Sequence, residues 1–262
     1  LGPIGALVGT APQATQPPPA RKRSMRPAPR TSRWRAGTES SSGQASTSTP
    51  MSRFEQVCTP TEATCCTVAI AHDNTSTASS IDLPVADLYT STSLHMPVQV
   101  ICGRKSGPVL FVSAAVHGDE LNGVEIIRRL LSRKILRSLR GTLLAIPVVN
   151  VYGFLNQSRY LPDRRDLNRS FPGRSKGSIA ARLANTFIRQ IVAKADYGID
   201  LHTGALNRCN LPQIRGNLDD AKTMQLARVF GVPVIINANI RDGSLRDCAA
   251  DRGMPVLTYE AG

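Results

Sequence analysis

The sequence has few aromatic residues, no long apolar run and no paired-cysteine motif. Phe, Trp and Tyr make up 5% of the 262 residues, which argues against a surface that binds single-stranded nucleic acid by stacking bases. No apolar run approaches the roughly 20 residues that span a bilayer, so a transmembrane helix is excluded. With 41% hydrophobic and 19% charged residues, the chain has the composition of a globular protein.

The six cysteines form neither a CxxC pair nor the framework of a small disulfide-rich domain. They are Cys58, Cys65, Cys66, Cys102, Cys209 and Cys248. Cys65 and Cys66 are adjacent, which is unsuited to a bridge between them. Free thiols are typical of a reducing compartment, so we expect a cytoplasmic protein.

The positive charge of the chain is concentrated near its beginning. Of the net +13, residues 1–50 carry seven Lys or Arg and one Glu, whereas residues 51–262 carry 25 basic and 18 acidic residues. A basic chain attracts any polyanion, but no nucleic-acid recognition motif accompanies the charge. We therefore expect neither a specific nucleic-acid partner nor a membrane partner.

Residues 1–50 are rich in Pro, Ala, Ser, Thr, Arg and Gly and show no apolar periodicity. Such a segment buries too little apolar surface to offset the entropy of ordering it, so we expect it to be disordered. Three interpretations stay open: translated sequence upstream of a start at Met51, a disordered tail, or an organelle transit peptide. We expect residues 51–93 to be a poorly defined lead-in and residues 94–262 to form the folded domain.

Short apolar runs alternate with amphipathic helical patterns once the chain becomes patterned, from about Asp82 onwards. Strands are predicted at residues 98–102, 109–116, 143–149, 232–237 and 255–259, and just before Leu201. Helices are predicted at residues 119–136, 178–194, 221–230 and 245–252. This alternation predicts an α/β fold with a mostly parallel, mixed central sheet and helices on both faces.

Residues of the types that bind metals follow three of the predicted strands. His117 and Glu120 follow one strand, His202 follows a second and Glu260 a third. Because the carboxyl ends of strands line the ligand crevice of open α/β sheets, we expect these side chains to converge. Two histidines and a glutamate, with water in the fourth position, are typical of a zinc site. An HxxE pair alone is weak evidence, and histidines that merely cap strands are the alternative.

A loop-like stretch between the first two clusters adds further polar residues, among them Arg159, Asp166, Asn168 and Arg169. Standing alone, its arginines would indicate a solvated basic loop. Beside a metal site, however, a guanidinium group suits a carboxylate, which it grips with two hydrogen bonds. The loop therefore favours an anionic substrate.

Together these motifs resemble the succinylglutamate desuccinylase/aspartoacylase family of zinc-carboxypeptidase-like hydrolases. The motifs that carry the resemblance are His117–Glu120, Arg159, Asp166–Arg169, Asp200–His202 and Glu260-Ala-Gly. Segments 211–215 and 241–245 are similar to the "predicted deacylase" branch of that family. The resemblance covers about residues 94–262 and implies a zinc-carboxypeptidase-like fold.

The resemblance implies one Zn²⁺ per chain, bound by His117, Glu120 and His202. It also implies that Arg159 polarises the scissile carbonyl and stabilises its oxyanion. A zinc-bound water has a pKa of roughly 7, which makes hydroxide available at neutral pH. An oxyanion held between the metal and a guanidinium is a typical device of acyl-transfer catalysis.

The resemblance further implies that Asn168 and Arg169 hold the substrate carboxylate and that Glu260 is the general base. Asp166 is interpreted as a residue that orients the arginines. The implied reaction is hydrolysis of the amide bond of a small N-acyl amino acid or related N-acyl amine, which frees a carboxylic acid and an amine.

Two alternatives to this deacylase activity stay open. One is a carboxypeptidase acting on peptide C-termini, since the same residues serve both reactions. The other is an inactive basic fragment that binds polyanions through residues 1–50. Family members continue beyond the equivalent of Gly262 into a β-rich cap, so we expect a zinc hydrolase domain at 94–262 that is incomplete at its C-terminus.

Overall fold

The computed structural model describes residues 77–87, 91–204 and 208–262. The expectation of a disordered segment at residues 1–50 therefore lies outside the described residues, as do residues 51–76 of the expected lead-in. Within the part of the chain that the structure describes, none of the helices has the length and apolar character that crossing a bilayer requires.

Strands and helices alternate along most of the described chain. The strands are β1 Thr77–Asp87, β2 Ser93–Cys102, β3 Lys105–Ala114, β4 Arg140–Ile146, β5 Tyr197–His202, β6 Gln213–Gly216, β7 Val234–Asn237 and β8 Val256–Glu260. The α-helices are α1 Asn122–Leu131, α2 Val151–Leu155, α3 Ile179–Gln190, α4 Ala221–Phe230 and α5 Leu245–Ala250. Short 3₁₀ turns lie at Lys134–Ser138, Leu167–Arg169 and Val192–Lys194.

The strands form one eight-stranded sheet in the order β1-β2-β4-β3-β5-β8-β6-β7. Pairing is parallel between β3 and β4, β3 and β5, β5 and β8, and β6 and β7. It is antiparallel between β1 and β2, β2 and β4, and β6 and β8. The prediction of a mixed sheet is confirmed. Because β3, β5 and β8 are parallel neighbours, their carboxyl ends lie side by side at one edge.

Apolar side chains alternate between the two faces of the sheet, and helices cover both faces. Phe111 of β3 packs edge-on against Phe187 of α3, with ring centroids 5.8 Å apart. The next residue, Val112, points to the other face, where it packs in a cluster with Ile127 of α1. This alternation is what a strand buried on both sides requires, and the prediction of helices on both faces is confirmed.

The predicted helix at residues 119–136 is wrong in its bounds. The structure divides it into α1 and the 3₁₀ turn at Lys134–Ser138, because Arg133 adopts an extended backbone conformation between them. The N-cap position of α1 is Leu121, and no side chain caps the helix. One carboxylate oxygen of Asp119 is buried without a hydrogen-bond partner among the described residues.

Strands β1 and β6 and helix α2 were not predicted. Strand β1 is an edge strand in which small and polar residues dominate, and it includes Pro84, where the register with β2 shifts. Proline is tolerated at an edge because its missing N–H is not needed there. Elements this short or this polar have no apolar pattern by which the sequence alone would reveal them.

Candidate active site

A tight turn after β3 carries His117 and Glu120. The backbone N–H of Glu120 donates to the carbonyl of His117 at 3.1 Å, which closes the turn. Gly118, between them, lies so close to α2 that a Cβ atom there would overlap the backbone of Gly153 and Phe154. Glycine is therefore required at this position, and the turn brings both side chains to the carboxyl edge of the sheet.

His117 and Glu120 form a cluster with His202, which is the last residue of the neighbouring strand β5. The carboxylate of Glu120 lies between the two imidazoles, with Oε1 2.7 Å from Nδ1 of His117 and Oε2 2.8 Å from Nδ1 of His202. The three residues are 4–7% exposed, and one ligand atom from each lies within 4.8 Å of the others. The sequence placed these residues together, and the structure does the same.

The other nitrogen of each imidazole also faces a carboxylate. Nε2 of His202 lies 2.7 Å from Oδ2 of Asp200, and the other carboxylate oxygen, Oδ1, accepts a 2.7 Å hydrogen bond from the Ser113 hydroxyl. Nε2 of His117 lies 3.2 Å from Oδ1 of Asp166. Metal-binding histidines are typically held in this way, since the outer carboxylate fixes the tautomer and the ring orientation.

The electrostatics of the cluster favour a bound cation. Burial raises the pKa of Glu120, but hydrogen bonds from His117 and His202 outweigh it and hold the pKa well below its usual value. Burial lowers the pKa of His202, yet the charges of Asp200 and Glu120 raise it well above its usual value. Carboxylates that stabilise a proton on His202 also stabilise a metal ion there. Two imidazoles and a carboxylate therefore form a donor set that fits a metal such as Zn²⁺.

We expect Asp200→Asn to weaken metal binding without removing a ligand. Asp200 is 2% exposed, and the substitution removes the negative charge behind His202 while keeping the size of the side chain. Loss of such an outer partner lowers metal affinity by about 10–100-fold, measurable by competition with a chelator of known affinity. Asp251→Asn, at an exposed carboxylate after α5, is the matched control, and equal affinities in the two variants would contradict the assignment.

Arg159 lies beside the cluster and is tied to it by two carboxylates. Its Nη2 donates to Oδ2 of Asp166 at 3.1 Å, and its Nη1 donates to Oε1 of Glu120 at 3.3 Å. Burial raises the pKa of Asp166, but the interactions with His117 and Arg159 outweigh it and hold the pKa well below its usual value. Asp166 therefore stays ionised and contacts both His117 and Arg159.

Asn168 and Arg169 follow in the 3₁₀ turn Leu167–Arg169. The side-chain oxygen of Asn168 accepts a 2.9 Å hydrogen bond from the backbone N–H of Leu245, where α5 begins. With this oxygen engaged, the amide NH₂, a donor, is the group left to meet an anion. Arg169 is exposed, and its guanidinium donates to the backbone carbonyl of Asn168.

One cleft of about 350 Å³ is lined by the metal cluster, by Arg159, Asn168 and Arg169, and by Glu260. The structure thus brings together all seven residues that the sequence proposed for the site. The cleft is rich in positive charge, since six arginines line it against three carboxylates. The arginines are Arg159, Arg169, Arg208, Arg215, Arg241 and Arg246, and the carboxylates are those of Glu120, Asp200 and Glu260.

Arg246 shows how crowded this positive charge is. Its guanidinium donates to the backbone carbonyls of Ala238 and Asn239, each at 3.2 Å. Burial lowers the pKa of Arg246, and the neighbouring Arg215 and Arg241 lower it further. A cleft of this kind attracts small anions. None of these three arginines was predicted as a site residue from the sequence.

The similarity to a known family extends beyond the individual motifs to a continuous region of the chain. The catalytic domain of succinylglutamate desuccinylase and aspartoacylase matches residues 106–262. The chain belongs to the succinylglutamate desuccinylase/aspartoacylase family. The family resemblance drawn from the strand-end motifs is thereby confirmed.

Two known proteins are similar to the chain over most of its length. The N-alpha-acetyl-L-2,4-diaminobutyric acid deacetylase of Halomonas elongata is 30% identical over 179 residues, which are 66% of this chain and 52% of the deacetylase. The structure of a succinylglutamate desuccinylase/aspartoacylase from Rhodobacter sphaeroides is 28% identical with a TM-score of 0.62, covering 71% of this chain and 57% of that one. The chain thus spans about half to three fifths of the length of these relatives.

Two further structures extend the comparison. The product-bound ectoine utilization protein EutE from Ruegeria pomeroyi is 26% identical with a TM-score of 0.64, covering 73% of this chain and 61% of that one. A metallo-carboxypeptidase from Burkholderia cenocepacia is 14% identical with a TM-score of 0.54, covering 70% of this chain and 55% of that one. This last likeness concerns the fold alone, and it confirms the prediction of a carboxypeptidase-like fold.

Proposed function

We propose that the protein is a zinc-dependent amidohydrolase that removes the acyl group from a small N-acyl amino acid or related N-acyl amine. The observation that carries the proposal is the buried cluster of His117, Glu120 and His202, which opens onto the same arginine-lined cleft as Glu260. Deacylase relatives in the family support an amide rather than another substrate bond.

The three cluster residues would hold the metal ion. When bound, Zn²⁺ lowers the pKa of a coordinated water to roughly 7 and polarises a carbonyl oxygen. The carboxylates behind His117 and His202 keep both imidazoles oriented towards that ion. Burial of the cluster keeps competing water away from its charges, which strengthens every electrostatic interaction inside it.

Glu260 would act as the general base and then as the general acid. Its carboxylate accepts a proton from the attacking water as the water oxygen bonds to the acyl carbon. The same proton passes to the leaving nitrogen as the carbon–nitrogen bond breaks. The products are a carboxylic acid and a free amine, so no further reactant is needed.

Arg159 would stabilise the negative charge that develops on the carbonyl oxygen. Its guanidinium is already held by Asp166 and Glu120, so it needs no reorganisation during the reaction. Asn168 and Arg169 would hold the substrate carboxylate, the first with a neutral donor and the second with a charged one. The excess of arginines in the cleft supports an anionic substrate.

We also propose a cytoplasmic location for the protein. Among the described residues, Cys102, Cys209 and Cys248 carry free thiols, a state that suits a reducing compartment. The expectations of no specific nucleic-acid partner and of disorder at residues 1–50 stay predictions.

The test is a substrate panel with the purified full chain and added Zn²⁺. We expect amine release from N-acetyl or N-succinyl amino acids, lost on chelation and restored by Zn²⁺. The matched carboxamide of the best substrate should lose at least about tenfold in kcat/KM, because it lacks the charge that the arginines bind. Cleavage of peptides but not of N-acyl amino acids would favour a carboxypeptidase, and a fully metal-loaded but inactive chain would overturn the proposal.

A further inference from the structure

We propose that Asn210 is a positioning residue that fixes the orientation of the Glu260 carboxylate. The inference rests on the proposed function, because Asn210 acts here through the residue to which that function assigns proton transfer. Its side-chain Nδ2 donates to Oε2 of Glu260 at 2.9 Å. Both residues are half-buried at the wall of the cleft.

The position of Asn210 is set by the backbone as well as by its side chain. Its N–H donates to the carbonyl of Gly262 at 2.5 Å, and the N–H of Gly262 donates back to its carbonyl at 3.3 Å. The N–H of Ala261, between Glu260 and Gly262, donates to the carbonyl of His202 at 3.3 Å. The backbone of Asn210 is therefore hydrogen-bonded to the segment that follows Glu260. These bonds hold the side-chain amide in place beside the carboxylate.

The side chain of Asn210 hydrogen-bonds to one oxygen of the Glu260 carboxylate and not to the other. Oε1 of Glu260 lies 3.8 Å from Nη1 of Arg215, which is beyond hydrogen-bond distance. Arg215 reaches it from β6, where it pairs in register with Thr258, two residues before Glu260. We assign Oε1 to the proton transfer, because Oε2 already accepts the amide proton of Asn210.

An amide suits this role chemically. The NH₂ group of Asn210 is neutral and can only donate to a carboxylate, so it orients the base without neutralising it. An unheld glutamate at a strand end samples several rotamers, and only some of them reach the reacting water. Misplacement of a catalytic group by about 1 Å can slow a reaction about 100-fold.

The pairing of β5 with β8 places the metal ligand His202 beside the base Glu260. Asn210 follows His202 by eight residues, and His202 pairs in register with Glu260 across β5 and β8. The two residues that follow the base, Ala261 and Gly262, are hydrogen-bonded to His202 and Asn210. These contacts hold the base beside the strand that carries His202.

The first variant is Asn210→Ala, which removes the side-chain amide and keeps the backbone hydrogen bonds to Gly262. We expect kcat to fall about 10–100-fold while KM stays within about twofold and metal content is unchanged. Asn237→Ala is the matched control, because Asn237 also donates to a carboxylate, that of Asp219 at 3.1 Å, but on the exposed surface. The control should keep the wild-type kcat.

The decisive measurement is the double variant with Glu260→Gln. If Asn210 acts through Glu260, Asn210→Ala slows the wild type but not the Glu260→Gln enzyme. Equal slowing in both backgrounds, an effect on KM alone, or no effect would overturn the inference. Glu260→Gln at the wild-type rate would overturn the proposed function and the inference with it, whereas a slow Glu260→Gln beside a fast Asn210→Ala overturns the inference alone.

A second variant covers the case in which Asn210→Ala does not fold. Asn210→Asp keeps the size and shape of the side chain but places a second negative charge 2.9 Å from Oε2, where the donor was. We expect it to reduce kcat more than Asn210→Ala does, since like charges at this distance repel. A folded, metal-loaded Asn210→Asp enzyme with the wild-type kcat would contradict the role.

Discussion

Glu260→Gln is expected to keep its metal and to lose turnover by about 10²–10⁴-fold, the contribution typical of a general acid–base residue. The metal cluster consists of other residues, so the substitution leaves the donor set intact. Glutamine still accepts the hydrogen bond from Asn210, which preserves the local structure. It cannot take a proton from water at neutral pH, and that is the property the variant isolates.

The measurement is kcat beside metal content for the same preparation. Glu125→Gln is the matched control, since Glu125 lies on the exposed face of α1, where Arg128 and Arg129 hold its carboxylate. Glu125→Gln should keep both its metal and its rate. Wild-type turnover in Glu260→Gln would show that another group moves the proton, and loss of metal would show that Glu260 belongs to the ligand set.

Much of the site follows from one property of the sequence, the polar residues after apolar strands. Strands β3, β5 and β8 each have an apolar run that predicts a buried strand. His117 follows β3, whereas His202 and Glu260 are the last residues of β5 and β8. Parallel neighbouring strands necessarily place such residues at one edge. The sheet order shows that these strands are neighbours, which accounts for the convergence that the strand-end pattern predicted.

Other parts of the site depend on contacts that no local pattern contains. Arg215 faces Glu260 only because β6 runs antiparallel to β8 with Gln213 opposite Glu260. Strand β6 has four residues with little apolar pattern, so neither the strand nor its register could be predicted. Asn210 reaches the cleft from a loop, and Arg246 reaches it from the short helix α5. Tertiary packing sets the position of both residues.

For Asp200, the sequence indicates one of its two contacts in the site and not the other. It precedes His202 by two residues, and alternate residues of a strand point to the same face. The sequence therefore contained the signal that this carboxylate lies beside His202. What it did not contain was the Ser113 hydroxyl on the other side, which comes from β3 and depends on the register between β3 and β5.

His202→Ala is expected to abolish metal binding in a chain that otherwise binds about one metal ion, because it removes one of three protein ligands. It also leaves the buried carboxylates of Asp200 and Glu120 without the group that separates them. Removing one partner of a buried ionic contact lowers the free energy of unfolding by roughly 3–5 kcal/mol. We therefore expect the metal-free variant to unfold at a lower temperature than the metal-free wild type.

The measurement is metal content by elemental analysis, together with thermal unfolding with and without Zn²⁺. His95→Ala is the matched control, since His95 is exposed on β2 and lies outside the cluster. A bound ligand stabilises the folded state according to its affinity, so Zn²⁺ should raise the unfolding temperature of the wild type and of His95→Ala but not of His202→Ala. A wild type that takes up no metal, or a His202→Ala variant that keeps it, would show that the cluster is not a metal site and that its carboxylates serve only to hold the histidines.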